Sequence, residues 1–205
     1  MLPILTLRPP TFSPAKPPLD YKNPSIAWLT EEWHVTHSTL PMWKSKRNVR
    51  IQYTPLEPSD PSIPKENTDR IDDLVTSQPL NSIKISEIRG LDKAAVSDST
   101  KDAGRGEWDW RGKGWLKIAG SHWEVLGWGE EEGRGEGKGN KWVVTIFAKT
   151  LFTPAGIDVY SKSREGVQAE TLGGIKKALE EIEDEGVKKM AGEIFEIVID
   201  DARGD

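Results

Sequence analysis

The chain has 205 residues, which is enough to bury a hydrophobic core in a single domain. Its net charge of −5 disfavours a nucleic-acid partner, and no apolar run is long enough to predict a membrane span. The sequence contains no cysteine, which excludes disulfides and thiolate metal sites. Because small secreted domains often need disulfides, we expect a cytoplasmic protein.

The N-terminal residues 1–25 are rich in proline, with "RPP", "AKPP" and "NPS" in close succession. Proline fixes φ and lacks a backbone donor, so this stretch is predicted to be an extended arm. The prolines and the lack of a preceding positive charge do not fit a signal peptide. The arm is expected to cover the domain surface or to form a loose tail; a ligand for a proline-recognition domain is the alternative.

The segments that follow alternate with the period of two that is typical of half-buried strands. "WHVTHSTL" places Trp33, Val35 and His37 on one face, and "NVRIQYTP" does the same for Val49, Ile51 and Tyr53. Two weaker strands, "RIDDLVTS" and "SIKISEIRGL", come next. Strands at about 108–118 and 122–129, "KWVVTIFAKTLF" and "IDVYSKS" complete a series of about eight.

The period changes after Ala169. Leu172, Ile175, Leu179 and Ile182 are spaced as on one face of an amphipathic helix. "VKKMAGEIFEIVID" fits either a second helix or a final strand. A series of antiparallel strands loses its two open edges by closing into a barrel. We therefore predict a mainly β protein, in which residues 26–205 form an up-and-down antiparallel eight-stranded barrel with a C-terminal helix.

Several segments resemble the lipocalins of the calycin superfamily. Ser163-Arg164 and residues 169–172, "AETL", match the end of the last barrel strand and the start of the family helix. "TEEWHVTHSTLPMW" looks like the first strand, so Trp33 would close the barrel base under Arg164 or Lys162. "GKGWLKI", "HWEVLGWG" and "WVVTIFAK" fall where the family has its middle strands.

The resemblance covers roughly residues 28–182. Glu31 stands where the family has a glycine, and the family's disulfides and export signal are missing. In these departures the chain resembles the lipocalin-like proteins that occur inside fungal cells. The resemblance implies that the protein binds a small hydrophobic molecule, such as a pigment, a lipid or a secondary metabolite, in the barrel cavity.

The chain has nine tryptophans, and four of them fall within residues 109–130. Some are expected to fill the barrel ends, while others are expected to line a cavity, because aromatic rings offer large contact areas to flat apolar ligands. The predicted ligand-binding residues are Val35, Tyr53, Trp110, Trp115, Trp123 and Phe147.

His34 and His37 form an H-x-x-H motif, but residues three apart on a strand point to opposite faces, and no metal site is predicted. The alternative function is a cofactor-independent enzyme, such as an isomerase, cyclase or pericyclase, acting on a hydrophobic metabolite in the same cavity. Its candidate catalytic residues are His37, His122 and Tyr160. The alternative for His122 is a solvated position on the exterior of the barrel. The sequence leaves the oligomeric state undetermined.

Overall fold

A computed structural model describes residues 5–95, 106–133, 139–151 and 153–204. Its strands are β1 (Glu32–Ser38), β2 (Lys46–Pro55), β3 (Arg70–Pro79), β4 (Ser86–Ala94), β5 (Glu107–Gly112), β6 (Gly120–Glu131), β7 (Asn140–Phe147), β8 (Gly156–Ser161) and β9 (Phe195–Glu196). Its α-helices are α1 (Ile26–Leu29), α2 (Ala169–Glu181) and α3 (Glu185–Glu193).

In this part of the chain, β1 to β8 form a closed antiparallel barrel in up-and-down order. Each strand pairs with the next, and β1 closes the ring by pairing with both β2 and β8. The short β9 adds to β1 at His37 and Ser38. The predicted eight-stranded barrel with a C-terminal helix is therefore confirmed.

Alternation along the strands produces two separate hydrophobic cores. Inward side chains such as Trp33, Tyr53 and Trp123 form the barrel interior. Outward side chains of β7 and β8, among them Val144 and Ile157, pack against α2 and α3. The strand "KWVVTIFA" is almost uniformly apolar because both of its faces are buried.

The C-terminal segment combines both structures that its sequence allowed. Leu179 and Ile175 bury the apolar face of α2, as the helical spacing predicts. Asp184 then caps α3 by accepting hydrogen bonds from the backbone N–H groups of Gly186 and Val187. After α3 the chain becomes extended and pairs with β1 as β9.

The predicted strand 108–118 is shorter in the structure. It ends at Gly112, and residues 113–119 form a loop containing a 3-10 turn at Gly114–Leu116. Gly114 has φ of +62°, a left-handed conformation that suits glycine and interrupts the strand. This loop lies at the end of the barrel that carries the cavity.

The N-terminal segment from residue 5 runs along the outside of the barrel. The backbone N–H of Arg8 donates to the carbonyl of Leu126, and the Tyr21 hydroxyl donates to the carbonyl of Val125. Leu7 packs closely on Gly127, where a Cβ atom would approach it to 1.9 Å. None of the helices in the described ranges has both the length and the apolar character needed to cross a membrane.

Candidate ligand cavity in the barrel

The base of the barrel is filled by Trp33, which is fully buried on β1. Its indole N–H donates to the carbonyl of Leu29, at the end of α1, over 2.9 Å. The Lys162 ammonium lies 5.5 Å from the ring centre, whereas Arg164 pairs with Asp201. Of the two cations expected over this tryptophan, Lys162 takes the position, and the cation–π contact closes this end.

The opposite end of the barrel, the mouth, encloses a cavity of about 270 Å³. This volume is near the lower limit of typical small-molecule pockets, about 300–1,000 Å³. Its walls are mostly apolar and aromatic. They are formed by Leu40, Met42, Trp43, Ile51, Tyr53, Asp73, Val75, Ile88, Trp110, Leu116, Ala119, Gly120, Ser121, Trp123, Phe147, Thr150, Thr153 and Asp158.

A stack of rings builds one wall of the cavity. Tyr53 and Trp123 are nearly parallel, with ring centres 5.3 Å apart and an interplanar angle of 8°. Trp108 lies behind Trp123 at 6.0 Å, and Phe147 contacts its other side at 6.4 Å. The Trp123 indole N–H donates to Asp92 over 2.8 Å, which fixes the ring. The rings of this wall therefore hold one another in place through stacking and this hydrogen bond.

Two buried carboxyl groups line the same cavity. Asp158 accepts hydrogen bonds from the Ser38 hydroxyl at 2.5 Å and from the Trp43 indole at 3.3 Å. Burial raises the pKa of Asp158 to about 7, and these two hydrogen bonds offset only part of the rise. Asp73 is the second, and its Oδ1 atom is buried without a hydrogen-bond partner in the described part of the chain.

Asp73 is electrostatically linked to Asp92 on the neighbouring strand. Burial first, and then the charges of Asp92 and Asp72, raise the pKa of Asp73 well above its usual range. Burial also raises the pKa of Asp92 to about 7, although the Trp123 indole favours its charged form. Like charges in a low-dielectric interior resist simultaneous ionisation, so this pair retains a proton near neutral pH.

Four of the predicted ligand-binding residues lie on the cavity wall, namely Tyr53, Trp110, Trp123 and Phe147. Val35 faces the interior core but is not part of the wall. The side chain of Trp115 lies outside the described residues. The four wall residues come from β2, β5, β6 and β7, so barrel closure brings them together from distant parts of the sequence.

His37 does not share the inward face of Trp33 and Val35, contrary to the alternation predicted for this strand. A bulge between Val35 and His37 shifts the register by one residue. Val35 therefore pairs with the inward Tyr160, while His37 pairs with the outward Val159. His37 lies outside the barrel and does not line the cavity.

His122 also lies outside the barrel, between two carboxylates. Its Nδ1 is 2.9 Å from Asp109, and its Nε2 is 3.3 Å from Glu124. Glu124 also accepts from the Arg8 guanidinium at 2.7 Å and from Thr11. The hydrogen bond to Glu124 raises the pKa of His122 to about 9, against the effect of burial and with help from Asp109. This cluster holds the N-terminal arm.

Tyr160 is the one catalytic candidate that faces the barrel interior. It is fully buried beside Tyr53 and Asp158. Burial and the nearby Asp158 raise its pKa well above 10. Tyr160 therefore stays a neutral phenol. The three catalytic candidates are not brought together, and a catalytic role for them stays a prediction.

Sequence reasoning missed Asp73, Asp158 and Trp43 as cavity residues. Asp73 lies in the charged stretch "RIDDL", which is predicted only to be a weak strand, with no assignment of its faces. The pairing Asp73–Gly90 places Asp73 inward, next to a glycine on β4 that leaves room for the Trp110 indole. An apolar residue on each side at spacing two, Ile71 and Val75, is the signal that could have identified it.

A larger groove of about 790 Å³ lies outside the barrel, next to β1, β2 and the C-terminal residues. Its lining is mainly charged and includes Glu32, Arg50, Lys162 and Arg164. Buried apolar walls with few polar groups are typical of small-molecule sites. The barrel cavity, rather than this groove, is therefore the candidate site.

No protein-family model matches this chain. No curated protein matches it either. Solved structures resemble it at low sequence identity. Lobster apocrustacyanin A1 matches with a TM-score of 0.50 and 8% identity, over 82% of this chain and 76% of that chain.

The siderocalin Ex-FABP, which functions through dual ligand specificities, gives a TM-score of 0.50 with 11% identity, over 84% of this chain and 94% of that chain. The amine binding protein of Rhodnius prolixus, in its tryptamine complex, gives a TM-score of 0.48 with 14% identity, over 82% of this chain and 77% of that chain. The first two likenesses confirm the fold expected from the sequence, which is an eight-stranded lipocalin-like barrel.

Proposed function

We propose that this lipocalin-like barrel binds a small hydrophobic molecule, non-covalently, in the cavity at its mouth. The observation that carries the proposal is the preformed aromatic wall of Tyr53, Trp123 and Phe147 around a cavity of about 270 Å³. Burying apolar ligand surface there is worth about 25 cal/mol per Å². The siderocalin with the same fold, which has dual ligand specificities, supports a binding role.

The size and shape of the wall favour a flat, compact ligand over a long chain. A stacked pair of rings presents a planar face, and aromatic ligands gain contact with such a face at low entropic cost. Among the ligand classes expected from the sequence, a compact secondary metabolite or pigment fits better than an extended lipid. The lack of cysteine keeps the cytoplasm as the proposed compartment.

The proposal is tested with N-phenyl-1-naphthylamine, a neutral probe whose fluorescence rises in apolar sites. We expect saturable binding to the purified protein at one site. Ala119→Phe, on the cavity wall, should lower the affinity at least tenfold by filling the space. Val198→Phe, an exposed position outside the barrel, is the control and should leave the affinity unchanged. Equal affinity in the Ala119→Phe variant would contradict binding in the barrel.

A further inference from the structure

The charged side chains that line the cavity are all acids. Asp73 and Asp158 line it, and Asp92 accepts a hydrogen bond from the indole N–H of the wall residue Trp123. The described lining contains no lysine, arginine or histidine. These buried acids hold protons near neutral pH, so a ligand cation can be neutralised there when a carboxyl group releases its proton, whereas a ligand carboxylate or phosphate would find no cation to pair with.

Asp73 has an unfilled hydrogen-bonding position that faces this space. The residue is only 7% exposed, and Oδ1 has no partner in the described chain. A buried polar atom without a partner is costly, and native proteins rarely retain one without a reason. By contrast, Asp158 already accepts from Ser38 and Trp43. Of these two residues, Asp73 is thus the one with a carboxyl oxygen left for a ligand, and the Trp110 indole beside it favours its charged form.

The aromatic wall adds a second interaction with a cation. Trp110, Trp123 and Tyr53 line the cavity together with Asp73. Rings of this kind attract a cation through their quadrupole, most strongly when water is excluded. Asp73 and three aromatic side chains therefore line one cavity, in which a protonated nitrogen can contact both kinds of group.

We propose that the ligand is an amine, an apolar or aromatic body carrying a protonated nitrogen, and that Asp73 receives that nitrogen. This inference rests on the proposed ligand binding in the barrel. When the ligand is absent, the Asp73–Asp92 pair retains a proton, which leaves to solvent when the cationic nitrogen enters. This release costs free energy, and the ion pair with the protonated nitrogen has to exceed that cost. A neutral ligand of the same shape forms no ion pair, and an anionic ligand is left without a counter-ion.

The test compares three probes of one shape, 2-naphthylmethylamine, 2-naphthalenemethanol and 2-naphthoate, by displacement of N-phenyl-1-naphthylamine. We expect the amine to bind at least tenfold more tightly than the alcohol and the carboxylate to bind most weakly. Asp73→Asn should remove the preference for the amine and change alcohol binding less than threefold. Glu87→Gln is the matched control, because it removes an exposed carboxylate of the barrel that pairs with Arg89 and does not line the cavity.

The outcomes separate the two proposals. If the neutral probe and all three naphthalenes fail to bind, ligand binding in the barrel is itself contradicted. If the alcohol binds as well as the amine, or the preference persists in Asp73→Asn, binding stands but the amine assignment is overturned. The wild-type series is decisive even if Asp73→Asn does not fold.

A different observation concerns the rim of the mouth, which we define as the described residues of four loops, 39–45, 80–85, 113–119, and 148–151 with 153–155. These loops contain five lysines and no aspartate or glutamate, in a chain of net charge −5. The lysines are Lys44, Lys84, Lys113, Lys117 and Lys149. Each loop therefore carries at least one positive charge beside the cavity entrance.

The same rim exposes most of the large aliphatic side chains found on the described surface. Ile118 is 86% exposed, Leu151 is 95% exposed and Ile83 is 77% exposed. Met42, Leu80 and Ile85 are exposed on the same loops. Clustered exposed apolar side chains mark an interaction surface, whereas scattered ones do not.

Basic residues interleaved with exposed aliphatic ones suit an anionic lipid surface, where lysines contact headgroups and aliphatic side chains enter the interface. We infer that the rim docks on an anionic membrane surface, with the cavity mouth facing the lipid. The complementarity is local, because the remainder of the chain is acidic overall and would be repelled. This orientation would let an apolar ligand pass between membrane and cavity without crossing water.

The test is co-sedimentation with vesicles of phosphatidylcholine alone or with 30% phosphatidylserine. We expect binding only to the anionic vesicles, weakening at least tenfold between 50 and 500 mM salt. Lys117→Glu/Lys149→Glu and Ile118→Ser/Leu151→Ser should each reduce binding at least tenfold. The control variants are Lys177→Glu/Lys189→Glu on the helices and Leu19→Ser on the arm, all exposed and away from the rim.

Absence of vesicle binding by the wild-type protein would overturn this docking proposal. An equal loss of vesicle binding in Lys177→Glu/Lys189→Glu would also overturn it, since the attraction would then depend on net charge and not on the rim. A rim that instead mediates self-association would show as an oligomer in solution that the Ile118→Ser/Leu151→Ser variant dissociates, with no vesicle binding. None of these results bears on ligand binding measured in the absence of lipid.

Discussion

Gly90 makes room for a wall of the cavity. A Cβ atom at this position would lie 1.9 Å from the Trp110 indole nitrogen, so any other residue displaces the ring. We expect Gly90→Ala to lower the free energy of unfolding by about 1–3 kcal/mol through overpacking, and to weaken probe binding. Gly192→Ala in α3 meets no atom within 4 Å and should raise stability by about 0.5–1 kcal/mol.

Urea denaturation with parallel probe titration checks both variants. If Gly90→Ala retains wild-type stability and affinity, the position of Trp110 over Gly90 is wrong.

Asp92 couples the cavity to the pH dependence of stability. Burial raises its pKa to about 7, so the folded state holds its proton more tightly than the unfolded chain does. The resulting stabilisation is complete below about pH 4 and is lost as the pH rises through about 7. We expect Asp92→Asn to match the wild type at pH 4 and to exceed its unfolding free energy by at least ~1 kcal/mol at pH 8.

The measurement is urea denaturation at pH 4, 6 and 8. Glu87→Gln, on the exposed side of the same strand, should give a curve parallel to the wild type. A parallel curve for Asp92→Asn would instead mean that this carboxyl group ionises normally.

Single residues were also where the sequence was least informative. Alternation correctly placed Trp33 with Val35, and Ile51 with Tyr53, on faces that are buried in the barrel, because each pair lies on a regular stretch of strand. It failed at His37, because a bulge of one residue reverses every side chain beyond it and leaves no mark in the pattern.

At the scale of elements, a buried ion pair links the N-terminal arm to the barrel, in addition to the contacts of Leu7 and Tyr21. Arg8 and Glu124 are both buried, 2.7 Å apart, and Thr11 donates to the same carboxylate. Glu124→Gln would leave the Arg8 guanidinium buried without its counter-ion, which costs about 3–5 kcal/mol. We expect the arm to detach, and hydrogen exchange of residues 5–25 to reach the rate of an unfolded chain. Lys188→Gln, which removes an exposed pair with Glu185, should have no such effect.

The same attachment predicts a pH window. Burial opposes the charge of Glu124, but bonds from His122 and Thr11 and the charge of Arg8 lower its pKa to about 2. Its contribution is present above about pH 4.3 and is lost as the pH falls through about 2. The pKa of His122 is raised to about 9, so its contribution is present below about pH 6.5 and is lost as the pH rises through about 9. Arm protection that is flat from pH 2 to 10 would contradict this assignment.

Element types followed from local pattern more closely than element ends did. Leu172, Ile175 and Leu179 specified α2 because helical spacing is a local property. The end of β5 at Gly112 depends on the positive φ of Gly114. The strand β9 pairs with the last residues of β1, beyond the part of β1 that pairs with β2, and this position exists only in the folded barrel. Asp73 likewise becomes a cavity residue only through its pairing with Gly90 across two strands.

At the scale of the whole molecule, the interior is divided into a filled base and a hollow mouth. Trp33 fills the base without touching the cavity, whereas Trp123 is equally buried but forms its wall. Closure could be anticipated from the number and order of strands, but this division could not. The division depends on long-range contacts, such as those that Trp33 makes with the Leu29 carbonyl and the Lys162 ammonium.

This division predicts opposite consequences for two equally buried tryptophans. Trp33→Phe and Trp123→Phe should each lower the unfolding free energy by about 1–3 kcal/mol, because each leaves a gap in a packed interior. Only Trp123→Phe should also weaken N-phenyl-1-naphthylamine, by at least tenfold, since it removes wall area and the hydrogen bond to Asp92. Urea denaturation gives the first quantity and probe titration the second. Equal losses of affinity in both variants would mean that the base and the mouth act as a single continuous cavity.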